Sequence, residues 1–155
     1  MNREKTKLAF NNLPPDNVAK TGVETVWGEL ISPNTLVVMN TPFHMTGVSF
    51  LDEVSFAVED GSNVFKSIVK KSGHSTYRIL QFEKQLDKFE EYWKPIQKLG
   101  CSFESGKFGG GSFTLYAIDV PPEVDVNEAY ALMERGEKDE VWHFEEGDFG
   151  HEKRN

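Results

Sequence analysis

His74 and Ser75 stand side by side after Gly73, and a histidine next to a serine supplies the residue types of a base and its nucleophile. Spacing argues against that use. HSTYRILQF (74–82) alternates as a strand does, which sends the His74 and Ser75 side chains to opposite faces. The strained Gly-x-Ser-x-Gly turn that exposes a serine nucleophile is missing from the sequence. His74, Thr76 and Arg78 do share a face, as a cationic and hydrogen-bonding trio. The glycines of KFGGGS (107–112) suggest a phosphate cradle, but such a loop leads into a helix with Lys-Ser or Lys-Thr following. Here it joins two expected strands and reads as a wide hairpin. Cys101 follows Leu99-Gly100 with no basic neighbour in sequence and reads as a buried structural thiol. The adjacent pairs Asp52-Glu53 and Glu90-Glu91 cannot share a face and read as surface charge.

The elements that must position these groups follow from periodicity. Pro14-Pro15 and Gly22 punctuate an irregular lead-in over 1–22. A β-rich stretch over 23–72 follows, with strands at 23–30, 35–40, 53–58 and 63–71. Ser32-Pro33-Asn34 and Asp60-Gly61 mark turns within it. That stretch is expected to form a small antiparallel sheet or half-barrel. From residue 73 the order is strand (74–82), helix, strand (101–105), strand (112–120), helix, strand (141–144). The first helix carries the stripe Leu86, Phe89, Trp93 and Ile96, interrupted by Pro95. The second begins at an Asp125 N-cap with Glu128 three residues on, and Gly136 is its expected stop. The expected class is α+β, with the half-barrel followed by a ferredoxin-like β-α-β-β-α-β unit over 73–147 and an acidic, polar tail over 148–155.

This topology makes the first and last strands of the second unit antiparallel neighbours. His74 and Arg78 then approach Glu145 and Glu146, with Asp148 and His151 near the same corner. Two histidines among carboxylates have the donor types of a metal site. The favoured reading is a network of His, Arg and carboxylates that pins the tail to the sheet, with neither metal nor cofactor.

Charge narrows the function classes. Of 155 residues, 17 are Lys or Arg and 25 are Asp or Glu, for a formal net charge of −8. Residues 1–73 carry net −1, residues 74–118 net +1, and residues 119–155 net −8. Concentrated negative charge disfavours nucleic acid and favours a basic protein partner. The absence of a long apolar run argues against a membrane span, and the charged N-terminus lacks a signal core, so a cytoplasmic protein is expected. A single cysteine excludes an internal disulfide framework.

The motifs also occur in a recognisable order. Val26-Trp27, Asn40-Thr41-Pro42-Phe43, Gly73-His74-Ser75-Thr76 with Arg78, Leu99-Gly100-Cys101, and Ala117 through Pro122 come first. Trp142, Glu145-Glu146-Gly147 and Gly150-His151 complete it. Over roughly residues 23–151 this pattern resembles a bacterial family of small stand-alone proteins catalogued only as a domain of unknown function. The resemblance implies a compact unit of the bacterial cytosol and carries over no reaction, cofactor or catalytic residue. The expected function is a non-enzymatic binding protein, an immunity or antitoxin-like protein that neutralises a basic toxin through an acidic surface. Its expected contact residues are His74, Arg78, Glu137, Asp139, Glu140, Glu145, Glu146, Asp148 and His151. The alternatives are a small metal- or ligand-dependent enzyme, or a regulatory ligand-binding module, built on His74, Arg78, Glu145 and His151.

Overall fold

The computed structural model describes residues 2–17, 19–108 and 113–152. Its first half is a closed five-stranded barrel, β1 (Lys5–Phe10), β2 (Glu24–Ser32), β3 (Thr35–Val38), β4 (Glu53–Glu59) and β5 (Ser62–Lys70). Consecutive strands pair antiparallel, and β1 closes the barrel by a parallel contact of Ala9 with Val64. Alternation explains the interior. Leu8 and Phe10 of β1, Val26 of β2, Leu36 and Val38 of β3, and Val54 and Phe56 of β4 all point inward. Burying side chains of this size stabilises by roughly 1.5–3 kcal/mol each. The tight turn at Asp60-Gly61 joins β4 to β5, as the sequence predicts.

The second half is a four-stranded sheet in the order β7 (Ser102–Phe108), β8 (Phe113–Val120), β6 (Ser75–Gln81), β9 (Trp142–Asp148), antiparallel throughout. Helices α1 (Phe89–Leu99) and α2 (Val126–Lys138) share one core with one face of it. Phe89, Trp93, Ile96, Ala129 and Met133 pack there with Tyr77, Ile79, Ile118 and Trp142. The Asp125 carboxylate accepts the Asn127 and Glu128 backbone N–H groups, the cap that the sequence implies. Among the described residues no helix is long and apolar enough to cross a membrane.

Several expectations are corrected. The α+β class, an open half-barrel followed by a ferredoxin-like unit, gives way to a strand-dominated chain. Its described residues are 44% strand and 21% helix, built on a closed barrel and a second sheet with only two α-helices. The barrel closes because the lead-in is not irregular throughout and contributes β1. Nor is the second sheet free-standing, since residues 40–52 of the barrel pack on the face that the helices leave open. Asn40 Nδ2 and the Thr41 N–H both donate to Glu104 of β7, at 2.9 and 2.6 Å. Leu86 lies in a 3-10 turn (Glu83–Lys88) and is half exposed, so α1 begins only at Phe89. Helix α2 runs through Gly136 to Lys138, and that glycine makes room for the Trp142 ring rather than ending the helix. The hairpin expected at the triple glycine, residues 109–111, lies outside the described residues.

Candidate functional site

Strand β9 runs antiparallel to β6 and brings the end of the chain to the start of β6. The stretches SGHSTYR and EEGDFGH therefore meet, and three internal networks join them.

The first holds the tail. Ser75 is fully buried, and its Oγ accepts the backbone N–H groups of Gly150 (2.9 Å) and His151 (3.2 Å). His151 Nε2 faces two carbonyl oxygens, of Pro121 (2.9 Å) and Val124 (3.1 Å). Carbonyls only accept, so Nε2 carries the proton and Nδ1 accepts the Ser75 hydroxyl at 2.6 Å. Ser75 thus has a histidine partner, but it is His151 rather than His74. Buried and doubly occupied as an acceptor, this oxygen is a clamp and not an accessible nucleophile. The tail passes so close that a Cβ at Gly150 would overlap the His74 carbonyl oxygen.

The second network lies on the barrel side. His74 Nδ1 donates to Asp119 Oδ1 at 2.7 Å, and the ring meets Phe50 edge-on. Burial pushes the Asp119 carboxyl above its ordinary range, and the bond to His74 opposes that shift. Asp148 is largely buried and accepts from Lys71 Nζ and from Ser49 Oγ (2.7 Å). The lone Ser49 proton is thereby committed, so Thr76 donates to Ser49 (2.7 Å). Lys71 also pairs with Asp52, which accepts the Ser49 and Ser72 backbone N–H groups at 2.8 Å each.

The third network centres on Arg78, which is 2% exposed. Its guanidinium lies against the backbone of Gly147, where a Cβ would stand 2.7 Å from Nη1 and 2.8 Å from Cζ. Gly147 is skipped in the β6–β9 register, a bulge, and its carbonyl accepts the Gly47 N–H at 3.0 Å. Arg78 Nη2 donates to the Met45 carbonyl, and Nη1 lies 3.7 Å from Glu145 Oε1. Glu24, also close to this charge, accepts the backbone N–H groups of Phe43, His44 and Met45. Burial holds the His44 imidazole below its ordinary pKa. Glu24 and Glu145 raise it and Arg78 lowers it further. Neither His44 nor Glu24 is singled out by the sequence. His44 sits in a loop without periodicity, and Glu24 caps residues about twenty positions away.

The expected contact residues therefore separate. Arg78 and Glu145 meet, while His74, Asp148 and His151 are taken up by internal bonds. The four groups of the enzyme alternative do not share one cleft. Ser75 alternates with Arg78 along β6, which sets the Ser75–His151 clamp on the helix face and Arg78 on the barrel face. Among the described residues, no three His, Cys, Asp or Glu side chains are arranged to hold a metal. Glu145 and Glu146 are exposed on β9, an edge of the sheet. Glu146 sits beside Tyr77, whose hydroxyl donates to it at 3.1 Å. Asp139 and Glu140 are exposed in the turn before β9, and Glu137 is half-buried beside His143 at 3.2 Å.

A closed barrel joined to a helix-backed sheet through the Lys71–Asp148 ion pair and a set of interior hydrogen bonds defines the structural class. Residues 24–144 match the family described as a domain of unknown function (DUF4265), and the chain belongs to that family. No curated protein matches it. A solved structure described as the novel crystal structure of a hypothetical protein from Neisseria gonorrhoeae superposes with a TM-score of 0.76 at 18% identity. The match covers 98% of this chain and 100% of that one. At that identity the likeness concerns the fold alone.

Proposed function

We propose that this is a non-catalytic cytoplasmic binding protein that engages a basic protein partner along the open edge of β9, in the manner of an immunity or antitoxin protein neutralising a toxin. One observation carries the reading. The edge strand bears exposed Glu145 and Glu146, and Asp139 and Glu140 flank its start. The histidines and Asp148 are committed elsewhere. Charges on an edge strand deter indiscriminate strand pairing, and the same charges select a partner of opposite sign.

Calorimetric titration against the product of the adjacent gene tests this. The expected result is saturable binding that weakens with salt and falls at least about tenfold in E145K/E146K, since reversing charges in a complementary interface leaves like charges opposed. Absence of binding, or binding indifferent to the charge reversal, overturns the reading.

A further inference from the structure

A cleft of about 240 Å³ lies between the barrel loop, the lead-in and the second sheet. Arg78 lines it, with Phe43, His44 and Leu115 beside it and Asp16 and Glu145 also in the lining. Three features set its chemistry. Arg78 Nε is buried without an acceptor. Its Nη1 is 3.7 Å from Glu145, an ion-pair distance too long for a hydrogen bond. The nearby Glu24 carboxylate already accepts three backbone N–H groups. A buried guanidinium with an unmatched N–H calls for an acceptor, and a carboxylate matches its fork.

The rest of the lining rejects a simple anion. Asp16 and Glu145 would repel it, and Arg78 would repel a simple cation. A molecule carrying both charges satisfies both. At about 30 Å³ per water the cleft has room for roughly eight waters, the space of a small metabolite. Phe43 and Leu115 offer apolar wall to a side chain. The lead-in wall is held in shape by Asn17, whose Nδ2 donates to Pro14 (2.7 Å) and Thr21 (2.8 Å) carbonyls. We propose that this cleft binds a small zwitterion of the α-amino acid class, its carboxylate on Arg78 and its ammonium between Asp16 and Glu145. The site shares Glu145 and Glu146 with the β9 edge, and Asp16 distinguishes the two.

The test titrates the full chain with the twenty L-amino acids, using acetate and methylamine as one-ended probes, followed by thermal shift and calorimetry. At least one amino acid should raise the melting temperature saturably, with the one-ended probes far weaker at equal concentration. Asp16→Asn and Glu145→Gln should each weaken binding about tenfold, the scale of one hydrogen bond to a charged group, and Asp16→Asn should leave the ligand-free melting temperature unchanged. The His44 ring resonances should move on titration. The proposal is overturned if no amino acid binds, if acetate binds equally well, if both variants bind like the native chain, or if His44 is unmoved.

Discussion

Gly150→Ala isolates what the tail clamp contributes. A methyl at residue 150 would occupy the space of the His74 carbonyl oxygen, and both sides of that contact are backbone. The tail must therefore lift. Lifting it breaks two N–H bonds to Ser75, the Ser75–His151 bond, and the His151 Nε2 bond to the carbonyls of Pro121 and Val124. Four bonds at about 1 kcal/mol net each set a ceiling of about 4 kcal/mol. Gly150 and His151, still tethered to β9, regain about 1 kcal/mol of backbone entropy apiece, at the low end of the range for a freed residue, so the expected net loss is about 2 kcal/mol. Urea denaturation of the native chain, Gly150→Ala, His151→Ala and the double variant measures it. Because either change detaches the same segment, the double variant should cost little more than Gly150→Ala alone. A Gly150→Ala stability within about 0.5 kcal/mol of native, or costs that simply add, would refute the reasoning.

The legible parts of the molecule were those with local chemistry. Alternating β-branched and aromatic residues marked β2 to β5, Asp125 marked the start of α2, and strand order brought β6 beside β9. Strand β1 was hidden because Arg3, Glu4, Lys5 and Lys7 crowd the alternation of Leu8 and Phe10. Barrel closure was hidden because it rests on Ala9 meeting Val64, a contact no local pattern encodes. At the corner, alternation rightly separated His74 from Ser75 but could not name His151, 76 residues away, as the partner. The glycines of EEGDFGH were a usable signal. Gly147 leaves room for Arg78 and Gly150 for the His74 backbone, so their spacing records two close approaches.

Two further outcomes are expected. Unfolded His44 takes a proton near its ordinary value of 6.5, whereas the folded ring resists it, so the unfolded state binds more protons as pH drops below that value. Stability should therefore fall on acidification through that window, by at most about 1.4 kcal/mol per pH unit, and His44→Gln should remove this component. Asp119 works the other way. Its raised folded pKa favours the folded state as that carboxyl protonates at lower pH, so denaturation curves of the native chain and the His44 variant must be subtracted. Burial pushes the Cys101 thiol up to about 12, so a thiol reagent at pH 8 should label the native protein negligibly and the urea-unfolded protein rapidly.

The proposal that β9 is the contact edge is tested most directly by hydrogen exchange of the partner-bound protein. Binding along that edge predicts slowed exchange of the outward backbone amides of residues 142–148 and of the turn at 139–140. Protection elsewhere, with β9 exchanging as in the free protein, would contradict it.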